Sequence, residues 1–162
     1  MVGKTKHQTV SDQIRLSILA EMPCIPCMID RVFGVPSTIQ HVTDCGRRYA
    51  DQHQATYPSC EWHHLGLVNE AFAGSIRLFT EARGPSLFHS KKSFLRQYGQ
   101  EVELIQIADA LVRHVRRQRS RQTEPTPTEL GHLCVALHRE IVMGIKPSEE
   151  MDSFRRRLSR PY

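Results

Sequence analysis

Long apolar runs are missing from this chain of 162 residues. No stretch reaches the roughly 18 unbroken apolar residues a membrane-spanning helix requires, and the Met-Val-Gly-Lys-Thr-Lys start lacks the apolar segment of a secretory signal. These absences predict a soluble, intracellular, cytoplasmic protein. Internal repeats are also lacking, and with 40% apolar and 24% charged residues the chain reads as one compact domain able to bury its own core. Acidic residues are absent between Arg113 and Arg121, where Arg116, Arg117 and Arg119 also crowd the segment. Arg155, Arg156, Arg157 and Arg160 form a second run at the C-terminus, in a chain of net charge +5. A charge run is most simply a solvated face, but two such runs also suit a polyanion such as nucleic acid.

A disulfide framework is not expected, because cytosolic reductants keep thiols reduced, so the five cysteines point to metal or thiol chemistry. Their spacing selects the metal. Cys24-Ile-Pro-Cys27 is a CxxC, Cys60-Glu-Trp-His63 is a CxxH, and 32 residues separate the pairs. Two residues between ligands let a tight turn aim both side chains at one ion, and two such turns supply the four N/S ligands of a structural Zn2+. A thioredoxin-like redox motif is the poorer reading, since no strand precedes Cys24 and no long helix pattern follows it. Cys45 and Cys134 have no such partners and read as ordinary small residues.

Around these turns the organisation is coarse but legible. Ser11 is a candidate cap for a first helix to about Glu21, with Ile14, Ile18 and Leu19 inward and Pro23 ending it. From Cys24 to Tyr57 helix period is scarce; residues 37–43 form the best strand candidate, and Ala55–Tyr57 a partner strand leading into Cys60. A helical pattern around Val68, Phe72 and Ile76 breaks at Gly84-Pro85. A short helix is expected over Ser90–Tyr98, an amphipathic one from Glu101 to about Arg117, and a last one through Leu130, Leu133, Leu137 and Ile141, ending at Gly144. Residues 1–121 are assigned to the main domain. Residues 122–162 are assigned to a linker, helix and basic tail, packed on that domain or appended to it.

The histidines carry the remaining chemistry. His41, His53, His63, His64 and His89 fall within 49 residues around the proposed zinc turns. Adjacent residues on a helix point about 100° apart, so His63 and His64 do not easily share one ion, leaving His64 for a second site. A metal between His64 and a strand bearing His41 would put a Lewis acid and a general base on one phosphate, as phosphodiester hydrolysis requires.

The order CxxC, Ile39-Gln40-His41-Val42, then Pro58-Ser59-Cys60-Glu61-Trp62-His63-His64 resembles an HNH, or ββα-metal, nuclease on a zinc-knuckle scaffold. The closer resemblance is to the phage recombination-enhancement (Ref-like), RecA-dependent nucleases. His53 stands five residues before Pro58, and Leu87-Phe88-His89 through Tyr98-Gly99 echoes that group's later string, with Phe88 interposed. The likeness spans about residues 20 to 105.

The resemblance implies an α+β fold: a small ββα-metal (HNH, zinc-knuckle or treble-clef-like) core with a mostly helical C-terminal elaboration. It implies a DNA endonuclease working in recombination or repair, in a bacterial or phage-infected host cell, on DNA held by a RecA filament. His41 matches the general base, and His53 the residue that orients the base loop. His64 and His89 match ligands of a catalytic Mg2+, Mn2+ or Zn2+, and Lys91 and Lys92 contacts to the phosphate backbone. Gln40 departs from the pattern, since most relatives carry His or Asp immediately before the base, and a neutral amide is the weaker ligand. Two alternatives therefore stand: a non-catalytic zinc-dependent DNA-binding module, and a conventional HNH endonuclease independent of RecA.

Overall fold

The computed structural model describes residues 8–42, 53–68 and 74–145. Among these lie seven helices and one two-stranded sheet, an α+β arrangement dominated by helix. The first helix, α1 (Val10–Glu21), has its cap two residues earlier than the expected Ser11. Thr9 caps it instead: its hydroxyl accepts from the Asp12 amide while the Asp12 carboxylate reaches back to the Thr9 amide, a reciprocal capping box. Pro23 ends α1 by forcing Met22 into extended backbone, φ −81° and ψ 141°.

A short helix, α2 (Ile25–Ile29), lies inside the stretch where little helix was expected. At five residues it is too short for a periodic signal, and Pro26 in its first turn supplies a fixed φ where the missing amide costs nothing. Strands β1 (Thr38–His41) and β2 (Thr56–Ser59) pair antiparallel, Thr38 opposite Ser59 and His41 opposite Thr56. Both lie within about two residues of the expected strands. Pro58 is tolerated in β2 because a two-stranded sheet has only edges. The hairpin leads directly into α3 (Glu61–Leu65), whose C-terminus is turned by Gly66 at φ 70°.

The next helix, α4 (Ile76–Arg83), starts at a Ser75 cap, so Val68 lies outside it; Phe72 falls outside the described residues. Then follow α5 (Lys91–Tyr98), α6 (Glu101–Arg119) and α7 (Pro127–Ile141). Thr126 and Glu129 form another capping box at α7, with Pro127 at its first position. This last helix is no appendage: Leu130, Leu133, Cys134 and Leu137 join the same core as Leu19, Ile25, Met28, Tyr57, Phe94 and Leu111, and α7 packs on α2 and α6. The approach is close at Gly131, where a Cβ would lie 2.2 Å from the Phe33 ring. No helix among the described residues is long and apolar enough to cross a membrane.

Candidate metal centre and the histidines around it

Cys24 and Cys27 flank the first turn of α2, and Cys60 and His63 the first turn of α3, so the two short helices present their N-terminal ends to each other. The four ligand atoms lie within 4.8 Å of one another, and Cys24, Cys27 and His63 are buried. His63 Nδ1 stands 3.5, 3.4 and 3.2 Å from the sulfurs of Cys24, Cys27 and Cys60, and the Cys27 and Cys60 sulfurs are 3.8 Å apart. A tetrahedron with bonds of about 2.3 Å to sulfur and about 2.0 Å to nitrogen has edges of roughly 3.5 to 3.8 Å. The four edges above, 3.2–3.8 Å, come close to that range, and the cluster could hold a metal such as zinc.

The protonation chemistry agrees. Hydrogen bonds from Cys24 and Cys27 drive the Cys60 thiol far below its ordinary range, whereas burial drives Cys24 well above it. Three adjacent thiolates would repel one another, and a bound cation would remove that obstacle. His63 Nε2, on the opposite side of the ring, lies 3.0 Å from the Arg83 carbonyl oxygen. A carbonyl only accepts, so Nε2 carries the proton and Nδ1 keeps the lone pair that faces the sulfurs.

His64 points toward the hairpin: its Nδ1 is 3.3 Å from the Thr38 hydroxyl on β1. Burial first, and the neighbouring His41 second, lower its pKa. His41 ends β1 and is exposed, while Gln40 is buried. Strand alternation puts Gln40 on the same face as Thr38, and His41 on the other. The Gln40 amide donates to the His41 carbonyl, and its buried Oε1 has no hydrogen-bond partner. A hard cation would satisfy such an orphaned acceptor, and Gln40 shares a strand face with Thr38, the residue His64 contacts.

His89, two residues before α5, packs elsewhere, against the C-terminal end of α3. Its Nε2 donates to the Gly66 carbonyl at 2.8 Å, and its ring is 5.6 Å from that of Trp62. On a helix Trp62 and His64 are about 200° apart, so the flank His89 covers faces away from Thr38. A Cβ on Gly66 would come within 2.6 Å of the His89 ring, so this seat requires glycine. Among the described residues the Cys24, Cys27, Cys60 and His63 set is the one group of three or more His, Cys, Asp or Glu side chains whose ligand atoms converge; His41, His64 and His89 form no second one.

His53 sits just before β2, with its carbonyl accepting from Arg15 Nη1 at 3.1 Å. Of the basic residues, Arg113, Arg116, Arg117 and Arg121 are exposed along α6 and just past it, and Lys92 on α5. Arg119 is bound to Glu21 and Glu124, and Lys91 lies 3.8 Å from Glu101. Cys45 and Arg155, Arg156, Arg157 and Arg160 lie outside the described residues. Cys134 is fully buried beside the Ile25 carbonyl, as an ordinary core residue would be.

Sequence reasoning missed three residues that build the site: Arg15, Asp30 and Tyr98. Arg15 has a faint signal, being a charge among the inward positions of α1. Asp30 has none and Tyr98 only its place in the string from Leu87 to Gly99, because their meeting depends on how α5 folds back over α2.

A tight Cys3His cluster that could hold a metal stands next to a hairpin and helix that carry further histidines. A sequence model of the family described as recombination enhancement, RecA-dependent nuclease, matches residues 8–113, and the chain belongs to that family. Neither a curated protein nor a solved structure matches it.

Proposed function

We propose that the chain is a metal-dependent DNA endonuclease of the HNH, ββα-metal type, acting on RecA-bound DNA in recombination or repair. Family membership supports the reaction class and the RecA dependence. The observation that carries the catalytic assignment is the junction of β1 with α3, where Thr38 touches His64 and His41 lies near enough to bias it.

In this reading Cys24, Cys27, Cys60 and His63 hold a structural zinc that fastens α3 to α2 and so fixes the direction of His64. His41, exposed at the strand end, takes a proton from the attacking water, since an imidazole accepts protons at neutral pH. A Mg2+, Mn2+ or Zn2+ ion held by His64 and Gln40 would polarise the phosphoryl oxygen and stabilise the leaving 3′ oxygen, whereas His89, the other ligand the resemblance implies, would serve only an ion at the opposite flank of α3. His53, tied through its carbonyl to Arg15, orients the loop that bears the base. Lys91, Lys92, Arg113, Arg116, Arg117 and Arg121 bind phosphates, with Arg119 held back by its two glutamates; Arg155, Arg156 and Arg157 are assigned the same role from sequence.

The test is incubation of the full chain with single-stranded and supercoiled DNA and Mg2+ or Mn2+, with and without RecA and ATP. Cleavage only with RecA, lost in His41→Ala while metal content and fold persist, is the expected result. Retained cutting by His41→Ala rules it out as the base. The position of His89 across α3, together with the neutral Gln40, favours a second reading: a non-catalytic zinc-dependent DNA-binding module. No cleavage under any condition selects that reading, and cleavage without RecA selects a conventional HNH endonuclease.

A further inference from the structure

His63 has a second neighbour on its outer side. Tyr98, the last residue of α5, is fully buried and sets its hydroxyl oxygen 3.2 Å from His63 Nε2. The same hydroxyl is 2.5 Å from Asp30 Oδ2, and Gln97 donates to the other carboxylate oxygen at 3.0 Å. A carboxylate only accepts, so the Tyr98 hydrogen goes to Asp30, and the Tyr98 oxygen is left to accept from the Nε2–H of His63. Backbone shape is committed to this contact: Gly84 has φ 76°, and a Cβ there would meet the Tyr98 oxygen at 2.1 Å and Asp30 Oδ2 at 3.0 Å.

We propose that Tyr98 and Asp30 are positioning residues of the metal centre, acting in series on the back of His63. Together with the Arg83 carbonyl they hold the imidazole in the tautomer that presents Nδ1 to the metal, and the carboxylate draws electron density through the phenol to make Nδ1 a stronger donor. Outer partners of this kind set ligand orientation and basicity, and their loss typically weakens metal binding by about 10–100-fold. The chain of contacts also joins the centre to α5. That helix begins two residues after His89, so a filled centre braces the segment that carries it.

This inference rests on the zinc centre proposed above. The experiment loads full-length wild type, Tyr98→Phe, Asp30→Asn and the double variant with Zn2+ or Co2+. Metal affinity is read by competition with a chromogenic chelator, and the ligand field from the Co2+ absorption bands. The expected result is a loss of about tenfold or more for Tyr98→Phe, a smaller loss for Asp30→Asn, shifted Co2+ bands in both, and a double variant no worse than Tyr98→Phe alone. Affinities within about twofold of wild type with unshifted bands overturn it, as does additive loss in the double variant. A variant that does not fold without metal is titrated instead by the free Zn2+ at which it folds, which gives the same comparison. Failure of wild type to bind either ion defeats the metal centre itself, a result distinct from equal binding by wild type and variants.

Discussion

Replacing Arg15 with Met tests whether a charge buried under the sheet holds the hairpin in place. Arg15 projects from α1 with its side chain 7% exposed. Its Nη1 donates to the Thr56 hydroxyl at 2.5 Å and to the His53 carbonyl at 3.1 Å, its Nη2 to the Thr56 carbonyl at 2.8 Å, and its Nε to Asp109 on α6 at 2.9 Å. Met keeps most of the apolar stem and removes every donor. The Thr56 carbonyl, in a residue with no exposure, then has no replacement partner from the side chain, a loss of about 1–3 kcal/mol. The Asp109 side chain is 38% exposed and regains water, so that half of the interaction is discounted to about 1 kcal/mol or less. The sum is about 1–4 kcal/mol, a sizeable share of the 5–15 kcal/mol typical of a domain. Urea unfolding of the metal-loaded protein measures it, and amide exchange at residues 55–57 should quicken more than elsewhere. Asp109→Asn should cost far less, since Arg15 keeps its three acceptors at the hairpin, and the double variant should cost no more than Arg15→Met. A loss below about 0.5 kcal/mol for Arg15→Met, or equal losses for the two single variants, refutes the reasoning.

Chelating the metal, or replacing Cys24 or Cys60 with Ser, should unfold the region around α2 and α3, because metal bound to a knuckle is folding free energy; an unchanged melting temperature in excess chelator contradicts this. Burial lowers the pKa of His138, whose Nε2 is buried without a partner, so the unfolded chain takes up that proton first. Stability is therefore full above the ordinary imidazole value of about 6.5 and falls as pH drops toward the lower folded value. His138→Leu should lose less between pH 7 and pH 5 than wild type does, and parallel urea-midpoint profiles would count against this. Replacing Arg113, Arg116 and Arg117 together with Gln should weaken single-stranded DNA binding and flatten its salt dependence by about 0.7 in log–log slope per lost phosphate contact. Arg119→Gln should leave that slope nearly unchanged and cost about 1 kcal/mol or less, as expected for exposed ion pairs. Equal effects from the two sets would refute the division of the arginines.

The elements that sequence revealed are those whose cause is local. The two-residue gaps in Cys24–Cys27 and Cys60–His63 encode turns, and the structure brings all four ligands into one cluster. Gly99 stops α5, and the apolar spacing through Leu104, Ile107, Leu111 and Val115 marks α6. Where the cause is tertiary, the sequence carried little sign of it. The helix α2 exists because its cap Cys24 and its residue Cys27 face the cluster and Ile25 and Met28 enter the core, not because five residues favour helix alone. Capping is local but ambiguous: Thr9 and Ser11 are equivalent by composition, and Asp12 decides between them only because it stands three residues after Thr9.

The histidines divide along the same line, and the division bears on mechanism. Sequence placed His63 and His64 on different sides of a helix, and His63 does face the sulfurs while His64 faces Thr38. It could not say which side of α3 the distant His89 would cover. That depended on Gly66 leaving room for an imidazole and on Trp62 offering a ring beside it. With Nε2 committed to the Gly66 carbonyl, His89 retains an unprotonated Nδ1, the same tautomer that His63 uses. A ligand role for His89 thus demands that the ion sit at the α3 flank rather than between α3 and β1. Divalent-metal binding measured with the zinc centre intact distinguishes the positions. If His89→Ala lowers catalytic-metal affinity as much as His64→Ala, the ion spans the helix; if only His64→Ala and Gln40→Ala do, it lies against the strand, and His89 serves to seat α3.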